Sequence, residues 1–157
     1  MESNTLKLLC FVIDSQKYAL PLDSVEVVIR SQAITVLESS VASFCGIIDF
    51  HGEIIPVISL RKRFGLADHT IRITDRFIIV KLDNKKAGII ADDVGDIIYI
   101  QSDQIIESSE IFKGLRYIRI LNRENGIILI YDMNSIFNEE EEIELLRLSE
   151  LYPNVNI

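Results

Sequence analysis

The chain has 157 residues, which suits one compact unit or two small subdomains able to bury roughly 70% of the extended surface. Hydrophobic residues make up 48% and charged residues 25%, a balance that excludes a disordered chain. The 24 acids against 16 bases give a formal charge of -8, which repels a phosphate backbone and excludes nucleic acid as a partner.

In chain order, short segments rich in Ile, Val, Leu and Phe alternate with polar pairs or glycine, the pattern of strands joined by hairpins. Leu6 to Ile13 leads through Asp14-Ser15-Gln16-Lys17 into Tyr18 to Leu20. Gly46 to Phe50 turns at His51-Gly52-Glu53 into Ile54 to Leu60. Arg76 to Leu82 turns at Asp83-Asn84-Lys85-Lys86 into Ala87 to Ala91, and Tyr117 to Leu121 turns near Asn125-Gly126 into Ile127 to Tyr131. The HG and NG pairs supply residues that tolerate positive φ, as tight hairpins demand. Pro56 cannot donate to a ladder, so its strand is expected at an edge or bulged at that point. Arg61 to Leu66 is expected to form a single helical turn. Asn138 to about Tyr152 reads as a terminal helix, capped by Asn138, with the solvated run Glu139 to Glu142 at the positive end of its dipole and Leu145, Leu148 and Tyr152 on one docking face.

The strands repeat. A shift of 69 residues lays Cys10 to Ile29 on Ile79 to Ile98 and matches Asp14 with Asp83, Lys17 with Lys86, Asp23 with Asp92, Val25 with Val94 and Ile29 with Ile98. Phe44-Cys45-Gly46 then resembles Phe112-Lys113-Gly114, and Ile54-Ile55 through Phe64 resembles Ile127-Ile128 through Phe137. The class is therefore mainly β, with two similar units at about 6–66 and 72–137, each of about five strands curled into a barrel to remove its edges, and a helix at about 138–152.

Catalytic motifs are missing: no GxSxG elbow, phosphate loop, HExxH or dinucleotide fingerprint. His51 and His69 cannot complete a zinc site without carboxylates, and Asp92, Asp93 and Asp96 lack the spacing of a calcium loop, so no metal or cofactor is expected. Cys10 and Cys45 read as buried thiols. The apolar runs fall short of the ~20 residues that cross a bilayer, and no basic-then-apolar leader opens the chain, so a cytoplasmic place without membrane insertion is expected. Function then rests on surfaces, with grooves and strand edges as natural docking sites.

Gly46-Ile47-Ile48-Asp49-Phe50-His51-Gly52-Glu53-Ile54-Ile55-Pro56-Val57-Ile58-Ser59-Leu60-Arg61, followed by Arg63-Phe64-Gly65-Leu66, resembles the signature of the CheW-like family. Tyr18-Ala19-Leu20-Pro21-Leu22 with Val25, and Gly88-Ile89-Ile90-Ala91-Asp92-Asp93-Val94, are similar to its supporting motifs, so the likeness runs from about Leu6 to Phe137. The resemblance implies two SH3-like five-stranded barrels and a non-catalytic adaptor that links the cytoplasmic tips of chemoreceptors to the regulatory domain of the histidine kinase CheA, in arrays at the inner membrane. By matching motif positions, Val25, Val27, Ile34, Cys45 and Gly46 fall where the family meets its kinase, and Gly46→Asp is expected to abolish that contact in a folded protein. His51, Arg76, Val94 and Ile97 fall where it meets the receptor.

The chain departs from the family pattern at His51, where an arginine is usual, at Ser59, where an acid is usual, and at Glu38, where a proline is common. Asp132 holds the acid of the second half. Such drift fits an adaptor serving another chemosensory pathway, such as surface motility. The alternative from a different class is a small-molecule-sensing β-barrel module.

Overall fold

The computed structural model describes residues 5–67, 70–82, 85–107, 118–131, 137 and 139–151. Strands dominate: β1 (Thr5–Ile13), β2 (Gln16–Pro21), β3 (Val25–Arg30), β4 (Phe44–Phe50), β5 (Glu53–Ile58), β6 (Arg76–Leu82), β7 (Lys85–Ala91), β8 (Asp93–Gln101), β9 (Ile105–Glu107), β10 (Ile118–Arg123) and β11 (Gly126–Tyr131). Among the described residues two α-helices accompany them, α1 (Leu60–Arg63) and α2 (Glu139–Leu151). The expected hairpin pairings are present, with Asp83, Asn84 and Tyr117 outside the described residues. The β10-β11 loop is Glu124-Asn125, neither at positive φ, and the glycine of the NG pair opens β11 with φ 120°. Asp14 and Ser15 have φ of 52° and 68°, and His51 and Gly52 have φ of 51° and 88°, the left-handed geometry of a two-residue hairpin loop that matches strand twist.

The strands form two sheets, a six-stranded one in the order β8-β1-β2-β11-β10-β9 and a five-stranded one in the order β3-β6-β7-β5-β4. Neither sheet follows the contiguous halves 6–66 and 72–137. The hairpin β1-β2 of the first half joins β8, β10 and β11 of the second, while β6-β7 joins β3, β4 and β5. The internal repeat survives this exchange. Moving β1, β2 and β3 along by 69 residues, and β5 by 73, carries each strand onto one with the same neighbours. Even irregularities correspond: the ladder β3/β6 slips between Val25 and Val27, and β1/β8 slips between Leu9 and Phe11, opposite Val94 and Ile97. Sequence similarity fixes which strands are equivalent. Which half supplies the partner hairpin is decided by long-range packing, to which a local pattern is blind.

Three apolar layers hold the sheets. Leu8, Ala19, Ile128 and Ile130 fill the inner face of the six-stranded sheet, and Ile55, Val57, Phe77 and Ile79 that of the five-stranded one. The opposite faces of the same strands meet between the sheets, where Leu9, Phe11, Ile13, Leu20, Ile78, Val80 and Ile89 pack together. Both faces of β1 and β6 are thus buried, which is why they read as near-continuous apolar runs rather than as an alternation. Tyr18 stacks at 5.5 Å from Phe11 and 5.6 Å from Phe64, bringing the end of α1 onto this middle layer.

Two local expectations are corrected. Pro56 lies inside the five-stranded sheet, since β5 runs between β4 and β7. The parallel ladder to β7 begins only at Val57, past the proline, and the bulge sits on β4 between Phe44 and Gly46. The glutamate run opening α2 is not uniformly solvated: Glu141 is 1% exposed. It accepts from Ser43 Oγ at 2.5 Å and from Arg63 Nε at 3.1 Å, and its other oxygen pairs with Arg63 Nη2. Leu145 and Leu148 do dock, against Phe44 and Ile58. Asn138, Tyr152, Asp132, His69 and Phe112-Lys113-Gly114 lie outside the described residues.

Candidate functional site

The segment from Ser31 to Ser43 crosses the five-stranded sheet on its β4 side. Thr35 and Ile47 exchange backbone hydrogen bonds, each 2.9 Å, forming a two-residue bridge beside Gly46. That close approach explains the glycine. Gly46 has φ +142°, and a Cβ there would lie 2.2 Å from the Thr35 carbonyl oxygen and 2.8 Å from Ile34 Cγ2. Any side chain collides with backbone, so Gly46→Asp perturbs folding before it tests a contact, which corrects the expectation of a clean interface variant.

Four of the five kinase-matched positions gather here. Val27, Ile34 and Cys45 pack half-buried against the inner layer of the five-stranded sheet, with Gly46 buried beside them. Val25 stands apart, pairing with Val80 and packing on the layer between the sheets. Ile34 and Cys45 open onto a cleft of about 420 Å³ whose rim carries Val36, 77% exposed, and whose floor includes Arg61 and Asp92.

The receptor-matched positions are not gathered at one place. Glu53, next to His51 in the β4-β5 turn, is bonded to Lys86 at the start of β7, whereas Arg76 pairs with Ala91 at the end of β7. His51 and Arg76 therefore sit at opposite ends of the five-stranded sheet. His51 is exposed, its ring edge-on to Phe50 at 4.4 Å. Arg76 Nη1 donates to the carbonyls of Ile73, Thr74 and Asp75 and closes the loop before its own strand. Val94 is half-buried on the middle layer, and Ile97 is 43% exposed on β8.

Sequence reasoning missed the charged cluster that ties α1 to two hairpin ends. Arg61 is buried, with Nη2 2.5 Å from Asp92 Oδ2 and Nη1 3.0 Å from the Ala67 carbonyl and 3.5 Å from Asp14 Oδ1. The Asp14 amide also donates to Asp92 Oδ2 at 2.8 Å. Burial works to raise the Asp92 carboxyl, but the Asp14 amide, the Arg61 guanidinium and Arg72 outweigh it and hold the group below its ordinary 3.8. This accounts for Asp92 without a cation, and Asp93 Oδ1 accepts from the Val94 amide. Ser59, where an acid is usual, caps α1 by accepting from the Lys62 amide at 3.2 Å, a task either residue performs. Cys10 and Cys45 are free thiols, and burial pushes the Cys10 thiol up.

Among the described residues no helix is long and apolar enough to cross a membrane. The CheW-like domain family matches residues 7–141. The chain is 27% identical over 137 residues to chemotaxis protein CheW of Bacillus subtilis, covering 85% of this chain and 88% of that one, and 28% identical over 134 residues to CheW of Thermotoga maritima, covering 85% and 88%. Among solved structures it resembles the scaffolding protein TtCheW of Thermoanaerobacter tengcongensis, with a TM-score of 0.73 at 28% identity over 84% of this chain and 87% of that one. With the matched residues running from β1 into α2 and so taking in both exchanged sheets, the chain belongs to the CheW-like domain family.

Proposed function

We propose that the chain is a non-catalytic scaffold of bacterial chemotaxis signalling that joins chemoreceptor tips to the regulatory domain of the kinase CheA. The observation that carries this reading is the match over residues 7–141, which spans both sheets. The sheet-crossing segment at Thr35 and the half-buried residues Val27, Ile34 and Cys45 present an apolar surface to the kinase domain. Val94 and Ile97 on β8 face the receptor helix, with His51 and Arg76 as separate outlying contacts. Recruitment to receptor arrays follows from those two engagements, since the chain carries no membrane-spanning helix among its described residues. Such interfaces commonly bury ~1,600 Å² and concentrate their energy in a few central side chains.

Isothermal titration of the chain against a purified CheA regulatory domain tests the reading. A one-to-one complex is expected, weakened by roughly 2 kcal/mol or more when a charge enters the centre of the contact through Ile34→Asp. Thermal unfolding of the variant checks that the fold persists. Absence of binding by the unaltered chain, or equal binding by a folded Ile34→Asp variant, overturns the assignment.

A further inference from the structure

The duplicated architecture makes each sheet a template for the other. In the five-stranded sheet, Lys86 on β7 donates to Glu26 on β3 at 3.1 Å and to Glu53 on β5 at 3.0 Å, closing that end of the sheet. Phe50, Val27 and Ile79 fill the interior beneath. The equivalent end of the six-stranded sheet keeps the lysine, as Lys17, and loses what neutralised and covered it. Gly95 stands where Glu26 does, Gly126 where Glu53 does, Arg123 where Phe50 does, Asp96 where Val27 does and Cys10 where Ile79 does. Strand registers support the equivalences on β5 and β11 and at Phe50 and Arg123, since Val57 pairs with Gly88 and Ile130 with Ala19, while Phe50 pairs with Glu53 and Arg123 with Gly126. Gly95, Asp96 and Cys10 follow from the 69-residue shift and sit at the slip of the β1/β8 ladder.

The result is an open cleft of about 770 Å³ lined by Cys10, Lys17, Asp96, Tyr99 and Arg123, among others. Lys17 and Arg123 make no side-chain ion pair with a described residue. Tyr99 on its rim is 64% exposed, and Ile127 on the adjoining strand is 51% exposed.

We propose that this mouth docks an acidic segment of a partner protein, with a Glu or Asp side chain taking on Lys17 the place that Glu26 and Glu53 take on Lys86, and a neighbouring apolar side chain resting on Tyr99. The choice of occupant follows from three features. Lys17, Gly95, Asp96, Arg123 and Gly126 are all exposed, whereas a small-molecule site encloses most of its ligand. Asp96 and Glu124 line the same cleft and balance Lys17 and Arg123 in number, so a single carboxylate can pair with Lys17 while a polyanion such as nucleic acid meets the two acids and a chain of net charge -8. Exposed apolar side chains beside the charge give a peptide the additional contact that a free carboxylate lacks. This docking is independent of the kinase and receptor assignments above.

The test is an NMR titration of ¹⁵N-labelled chain with a capped hexapeptide of alternating glutamate and leucine, repeated with glutamine in place of glutamate and with succinate. Shifts are expected at the amides of Lys17, Gly95 and Gly126. The glutamine peptide and succinate should bind roughly tenfold more weakly or worse, reflecting loss of a charge-assisted contact in one case and of apolar contact in the other. Gly95→Glu recreates the closure seen in the other sheet. A Cβ at Gly95 meets nothing closer than the Cys10 carbonyl oxygen at 3.7 Å, an ordinary contact, so the variant folds and should lose peptide binding. Lys17→Gln should lose it too. No shifts with millimolar peptide, equal binding of the glutamine peptide or of succinate, or undiminished binding by Gly95→Glu overturns the proposal.

Discussion

Replacing Gly46 with alanine puts a methyl group 2.2 Å from the Thr35 carbonyl oxygen and 2.9 Å from its carbonyl carbon, on a backbone held at φ +142°. Neither obstacle is the end of a flexible side chain, so the segment around Thr35 must lift away from β4. The Thr35–Ile47 bridge then breaks, removing two backbone hydrogen bonds of 2.9 Å each, a loss of about 0.5–1.5 kcal/mol apiece. Holding an L residue in the left-handed region adds about 1–2 kcal/mol. The expected destabilisation is roughly 2–5 kcal/mol, which lowers Tm by on the order of 10 °C for a chain of this length. Gly88→Ala is the control. Its nearest contacts would be 3.5 Å, and its counterpart in the other sheet is Ala19, so it should shift stability by less than about 1 kcal/mol. Urea denaturation followed by circular dichroism measures both. A Gly46→Ala protein as stable as the parent, with unmoved Thr35 and Ile47 amide resonances, refutes the close-approach argument.

Glu141→Ala leaves Arg63 without its buried partner and should cost about 3 kcal/mol in urea midpoint measurements, whereas an exposed neighbour changed the same way, Glu140→Ala, should cost under about 0.5 kcal/mol. Asp92 titrates below its ordinary 3.8 in the folded protein. Its contribution to stability is therefore present above about pH 4 and is lost as pH falls through the folded-state value. Urea midpoints from pH 7 down to pH 2.5 should show that loss, and Asp92→Asn should flatten this part of the profile; an unchanged slope contradicts the Arg61 cluster as drawn. His51→Arg restores the family's usual residue at an exposed turn. It should alter Tm by no more than a few degrees and tighten binding to a soluble receptor-tip fragment, read by fluorescence anisotropy.

The sequence displayed what local chemistry controls. His51-Gly52 marked a hairpin because few residue pairs tolerate positive φ, Asn125-Gly126 marked one although its loop residues Glu124 and Asn125 avoid positive φ, and the two Lys-bearing hairpins betrayed the duplication. The exchange of hairpins between halves was hidden, because Leu9 and Ile78 look alike whichever sheet they face, and both faces of their strands are buried. Pro56 looked like an edge residue because a missing donor is visible in sequence, while the start of a parallel ladder at Val57 is not. Glu141 looked solvated among four glutamates. Its burial depends on Arg63 and Ser43, brought to it from 78 and 98 residues away. Of the positions matched to the family's kinase contact, Val27, Ile34, Cys45 and Gly46 lie together and Val25 packs on another layer, a separation that matching residue by residue does not show. Nothing in the sequence signalled that Gly46 is required by Thr35, nor that His51 and Arg76 lie at opposite ends of one sheet, because a shared assignment to one partner says nothing about distance across a fold.

Scaffolding requires simultaneous engagement of two partners, and co-sedimentation with receptor-bearing membranes measures this most directly. CheA regulatory domain should pellet with such membranes only when this chain is added, and Ile34→Asp should abolish kinase recovery while the chain itself still pellets. Recovery of the kinase without the chain, or failure of the unaltered chain to pellet, would contradict the account.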